Sequence, residues 1–142
     1  GSGLVGSEMC IRDSIYAENK KGALQTMTNA LYEAGINIWG SVTNDGAEYG
    51  INRMVVSDPD KAKEVLTERG YLCRFVDVLA VEIEDKPGAL NTLLTALLDS
   101  NVNVDYTYLS FNRDSSTPVM ILHTADPEEV EICLRAKGFK MV

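Results

Sequence analysis

The sequence predicts an α+β protein made of two tandem ferredoxin-like units, each of βαββαβ order with an antiparallel sheet and two helices on one face. Two observations carry this prediction: the chain repeats itself, and in each copy the apolar spacing switches between the strand and helix periods in the same order. The segment NKKGALQTMTNALYEAGINI from Asn19 recurs as DKPGALNTLLTALLDSNVNV from Asp85, with Gly22 and Gly88, Leu24 and Leu90, Leu31 and Leu97, and Asn37 and Asn103 each 66 positions apart. A second pair, SDPDKAKEVLTERGY from Ser57 and ADPEEVEICLRAKGF from Ala125, places Gly70 and Gly138 68 positions apart. Two residues are thus added in the second copy, and the segment NRDSS, longer than NDG in the first copy, is the natural place for them. The units are read as residues 11–77 and 78–142, after a small, polar leader or cloning remnant over residues 1–10.

In the first copy IYAEN alternates as a strand and stops at KKG. Ala23, Leu24, Met27, Ala30, Leu31 and Ala34 then recur at helical spacing, and Gly35 closes the run as a C-terminal cap. INIWGSVT and AEYGINRMVV are β-rich on either side of the Asn44-Asp45-Gly46 turn signal, so they form a hairpin. Ser57 or Asp58 caps a second helix with Pro59 in its first turn and Ala62, Val65 and Leu66 as its buried stripe, and YLCRFVDV is the fourth strand. The second copy repeats the order: LAVEIED, a helix over Pro87–Ser100, VNVDYTYLSF, a hairpin, TPVMILHT, a helix over Pro127–Ala136, and FKMV. Asp13 aligns with Leu79, a poor match at this end of the repeat. With no glycine or proline between Tyr71 and Glu84, the last strand of one copy is expected to run into the first strand of the next. VMIL and the Val78–Val81 run are apolar at consecutive positions, so these strands should be covered on both faces.

The formal charge of −8 and pI near 4.6 disfavour nucleic acid and anionic membrane as partners, since both need a concentrated basic surface. No apolar run approaches bilayer length, and a cytoplasmic protein is expected. Three cysteines without paired spacing support neither a disulfide framework nor a zinc site, so no metal and no cofactor is expected, and Cys73 and Cys133 read as small buried apolar residues. His123, in VMILHT, has no second histidine or nucleophile motif beside it, and no catalytic residue is assigned. Tyr106 and Tyr108 read as packing residues.

The repeated turn has its own chemistry. A strand ends, Gly22 or Gly88 permits close backbone approach, and a helix begins with its first amides unpaired and its dipole positive, a place where a carboxylate fits. Asn19 and Asp85 stand just before this turn. Asn37 and Asn103 stand between Ile36 and Ile38, and Val102 and Val104, so alternation points them away from the helix-covered face. These polar groups either organise the turn and the strand entry or meet a ligand's ammonium and carboxylate.

ENKKGAL with AGINI, and EDKPGAL with SNVNV, resemble the ACT domain, a small-molecule regulatory module, over both copies from Ile15 to Val142. The residues are similar to the serine-sensing regulatory domain of phosphoglycerate dehydrogenase, which has asparagine at both the pre-turn and strand positions. Asn19 and Asn37 match that pattern, Asp85 departs from it in the second copy, and Lys21 replaces the turn proline that Pro87 keeps. The resemblance implies a non-enzymatic sensor, a homodimer that binds a free amino acid where the turn of one ACT domain faces the second strand of another, and that signals to an unidentified protein target. It implies amides near Gly22, Ala23 and Leu24, or Gly88, Ala89 and Leu90, for the ligand carboxylate. Asn19 or Asp85 with Asn37 or Asn103 would hold the remaining polar groups, flanked by Lys21, Ile38, Trp39, Pro87 and Val104. Trp39, on the parity of Asn37, either contacts the ligand side chain or packs between sheets. A structural dimerisation module with a degenerate pocket and a hydrolase of acylphosphatase type are the alternatives. The second lacks an arginine in the matched turns and any nucleophile beside a base.

Overall fold

The computed structural model describes residues 11–17, 22–44 and 51–142. Along the described chain the elements are β1 (Ile11–Ala17), α1 (Ala23–Glu33), β2 (Ile38–Asn44), β3 (Ile51–Val56), α2 (Pro59–Glu68), β4 (Leu72–Glu82), α3 (Ala89–Asp99), β5 (Val104–Phe111), β6 (Pro118–Thr124), α4 (Pro127–Ala136) and β7 (Lys140–Met141). The chain divides into two compact units, one spanning Arg12–Val76 and one containing Asp77–Val142. As expected from the uninterrupted sequence between Tyr71 and Glu84, the fourth strand of the first copy and the first strand of the second are one strand, β4. The leader, Asn19, Lys21 and the Asp45-Gly46 part of the first hairpin lie outside the described residues.

Each unit is the expected split βαβ. The first has the strand order β2-β3-β1-β4 and the second β5-β6-β4-β7, with antiparallel pairing of β1 to β3, β2 to β3, β4 to β6, β4 to β7 and β5 to β6. Amphipathic spacing explains the helices. Met27, Ala30 and Leu31 of α1 and Ala62 and Leu66 of α2 join Tyr16, Met54 and Val56 in one core. Leu93 and Leu97 of α3 and Val130 and Leu134 of α4 join Leu79, Val81, Met120 and Leu122 in the other. Val78, Ala80, Val119 and Ile121, on the opposite face of the second unit's sheet, are buried as well, as the consecutive apolar residues implied.

The register corrects the alignment of the first strand. Tyr16 lies opposite Asn52, and Val81 lies opposite Met120; Asn52 and Met120 are repeat partners 68 positions apart, so Tyr16 matches Val81 at an offset of 65. Ser14, not Asp13, is therefore the counterpart of Leu79. The second copy carries one more residue between its first strand and its turn glycine, and once that is allowed the apolar positions coincide. Asp13 and Ser14 are nevertheless fully buried, a polar strand entry that the repeat lacks.

A second shared detail was invisible in the apolar pattern. β2 shifts register between Ile38 and Gly40, and β5 shifts between Val104 and Tyr106. Each strand thus has a bulge of one residue, Trp39 and Asp105, at repeat-equivalent positions, and a bulge re-aims the residues beside it. Trp39 was expected to alternate in step with Asn37; the bulge interrupts that alternation at Trp39 itself.

Candidate functional site

The four described helices begin in two different ways. α2 and α4 follow aspartates, carry proline in the first turn and have acidic residues there, and Asp58 Oδ1 accepts from the amide of Lys61 at 3.2 Å. α1 and α3 follow Gly22 and Gly88, both left-handed at φ 85° and 88°, and have no side-chain cap and no acid in the first turn. At that φ an L side chain is strained, which is why glycine stands there in both copies. Thr26 and Thr92, at equivalent positions, return their hydroxyls to the carbonyls of Gly22 at 2.9 Å and Gly88 at 3.0 Å, engaging acceptors rather than the leading amides, of which that of Ala89 donates to the Lys86 carbonyl at 3.2 Å. α3 starts at Ala89 rather than Pro87 because the glycine is its cap. Ala23 is buried and Ala89 half-buried, while Leu24, Leu90, Asp85 and Pro87 are exposed.

At the other end of each unit, Ile36 and Ile38, and Val102 and Val104, pack into the two cores, and Asn37 and Asn103 between them are exposed. The Asn37 backbone is tied to the start of α2: its amide donates to Ser57 Oγ at 2.9 Å and its carbonyl accepts from the Ser57 amide at 2.9 Å. The second unit has Ala125 at that position, and here Asn103 Nδ2 donates to Asp105 Oδ1 at 3.3 Å. The His123 Nδ1–H donates to Asp105 Oδ2 at 2.8 Å, and the imidazole stacks on Tyr106 with centroids 5.0 Å apart. Asp105 escaped the sequence reading, and His123 was weighed there only as an isolated histidine, without this partner. The signal available was the 66-residue offset, which sets Asp105 against Trp39.

Within one unit the turn and the asparagine do not meet. They flank opposite ends of a helix of 11 residues, about 16 Å long, so the glycine turn of a unit faces away from its own asparagine. Two separate hollows reflect this in the second unit. A cavity of about 360 Å³ near the turn is bordered by Glu84, Lys86, Ala89 and Lys140. One of about 650 Å³ at the strand start is bordered by Asn103, Asp105, Ala125, Asp126 and Glu129, with Cys133 at its wall.

No cluster of metal-ligating side chains occurs among the described residues. Cys73 and Cys133 are half-buried free thiols rather than buried ones, and Cys133 Sγ lies 3.1 Å from Ser100 Oγ. In the first unit, burial pushes the Tyr16 phenol far above its usual range and the neighbouring Cys73 thiol adds to the effect; burial raises Cys73 too. Neither group is thereby prepared to ionise near neutral pH. No helix among the described residues is long and apolar enough to cross a membrane.

Comparison with known proteins agrees with this geometry. The family profile of an ACT domain pair matches residues 9–141. The fold is similar to the crystal structure of protein BT0572 from Bacteroides thetaiotaomicron, with TM-score 0.86 and 27% identity over 94% of this chain and 92% of that one. It is also similar to the ligand-free regulatory subunit of aspartate kinase from Thermus thermophilus, with TM-score 0.63 and 16% identity over 89% of each chain. The corresponding subunit from Thermus flavus gives TM-score 0.62 and 18% identity over 89% of this chain and 90% of that one. No curated protein matches.

Proposed function

The chain belongs to the ACT domain pair family, a ligand-binding regulatory module, and from that premise we propose that it is a non-enzymatic, cytoplasmic sensor of a free amino acid. The observation that carries the reading is the contrast between helix starts: two helices are closed by aspartate, proline and acids, and the two that follow the repeated glycine are open to an anion. The ligand carboxylate sits on the amides near Gly22, Ala23 and Leu24, or Gly88, Ala89 and Leu90. Asn19 or Asp85, with Asn37 or Asn103, meets its remaining polar groups, and Lys21, Ile38, Trp39, Pro87 and Val104 border the site.

Because the turn and asparagine of one unit lie at opposite ends, the site is completed by another ACT domain, which a second chain would supply. The surface offered for this is apolar: Leu90, Leu94 and Leu98 along α3, and Leu109 and Phe111 on β5, are exposed. A patch present on every chain suits a two-fold homodimer. Ligand that binds the dimer better in one arrangement shifts its contacts with a protein target.

A thermal-shift screen of the standard amino acids tests the proposal. A ligand at a hundred times its dissociation constant stabilises by about 2.7 kcal/mol, and Asn37→Ala weakens binding while leaving the unliganded melting temperature near that of the wild type. Failure of every amino acid at millimolar concentration to move the melting temperature refutes the sensor reading.

A further inference from the structure

The first unit holds a buried polar cluster that its repeat does not. Asn52 is 2% exposed and alternates along β3 with Met54 and Val56, both in the helix-covered core. Its Nδ2 donates to Thr43 Oγ1 at 2.7 Å and to Ser41 Oγ at 3.2 Å, so both amide protons are used. Its Oδ1 is buried with no hydrogen-bond partner among the described residues. In the second unit the same register positions are Met120, Leu109 and Thr107. The fold therefore forms with methionine and leucine where the first copy has asparagine and threonine, and an acceptor with no donor in a core needs a reason outside packing.

Its place supplies one. Asn52 lies across the ladder from Tyr16, beside Ala17, the last residue of β1. Tyr16 shares a core cluster with Ala23, the first residue of α1. The carboxamide thus faces the helix layer at the end where the uncapped start of α1 lies.

We propose that Asn52 reads the ammonium group of the bound amino acid in the first unit, taking an N–H donor on Oδ1 while the first amides of α1 take the carboxylate. The proposal rests on the amino-acid reading above and adds to it a residue and a division between the copies. Ser41 and Thr43 hold the carboxamide so that the acceptor, not the donor, is presented. The second unit has Met120 at this place and lacks this contact.

The test uses the full chain, with calorimetric titration of whichever standard amino acid stabilises the wild type, and of that acid lacking its amino group, such as propionate for alanine. Asn52→Met is expected to weaken amino-acid binding by about tenfold or more, to the level of the deaminated acid, with an unliganded melting temperature at or above that of the wild type. Because Asn52→Met leaves the Thr43 hydroxyl without its partner, the double variant Asn52→Met/Thr43→Leu, which copies the second unit, is measured beside it. Unchanged affinity in either folded variant overturns the proposal. A wild type that binds no amino acid removes the sensor reading and this proposal with it, whereas a wild type that binds with variants that bind equally well removes this proposal alone.

Discussion

The two units share a strand register down to the position of a bulge, yet they surround it with different chemistry. The first has Trp39 at the bulge, Asn52 in the core and Ser57 closing the strand start; the second has Asp105, Met120 and Ala125 at those positions. Backbone geometry in this fold is set by what both copies keep: the left-handed glycines, the apolar stripe of each helix and the proline that starts each second helix. Side chains at the two ends of each unit are free to differ, and that is where the copies part.

Substitution at matched positions measures how far the likeness extends, and the largest effect belongs to the cores. Leu31 and Leu97 are repeat partners, 0% and 1% exposed, and replacing either by alanine is expected to cost about 3 kcal/mol by removing buried methyl groups and leaving a cavity. Urea denaturation gives the loss, and hydrogen exchange resolved by segment shows which unit loosens. Equal losses confirm that the cores are equivalent; a loss under about 1 kcal/mol at one position shows a core that collapses around the gap.

A smaller effect separates the second helices. Asp58 caps α2 through its side chain, so Asp58→Ala should cost about 1 kcal/mol. Asp126, its partner, stands left-handed at φ 52° and makes no cap hydrogen bond, so Asp126→Ala should change stability far less and Asp126→Gly should raise it by a few tenths of a kcal/mol or more. Thermal unfolding of the three variants decides it, and equal losses from the two alanine variants would break the contrast.

The smallest effect vanishes at neutral pH. Tyr16 and Cys73 of the first unit have raised folded-state values, whereas Val81 and Met141 occupy the same places in the second. A raised folded value means the native state holds its proton more tightly than the unfolded chain. The associated stability is complete below the unfolded values, about 8.5 for the thiol and about 10 for the phenol, and is lost as pH climbs above them. Stability measured against pH should fall on the alkaline side, and a Tyr16→Phe/Cys73→Ala variant should flatten that fall. An unaltered slope would assign the alkaline loss to other groups.

Much of this was legible in the chain. Repeated glycines, prolines and helical stripes are local, period-bearing signals, and they placed the helices and the fold directly. Registers are pairings between distant segments, and no local pattern states them: that is why Ser14 rather than Asp13 proved to match Leu79, and why the bulges at Trp39 and Asp105 were missed. The open helix starts were expected from the glycines. That the turn and the asparagine of one unit stand apart follows only once α1 and α3 are given their length. Asn52 sits in INRMVV, an apolar run whose one interior amide reads as an ordinary strand residue until its neighbours across the sheet are known.

An irregularity that occurs at the same place in both halves is most simply inherited by both. The extra residue carries an indole in one half and a carboxylate in the other, and the strand is bulged in both. The backbone shape there is thus compatible with two unlike side chains, and a one-residue deletion at that spot should be tolerated worse than a replacement.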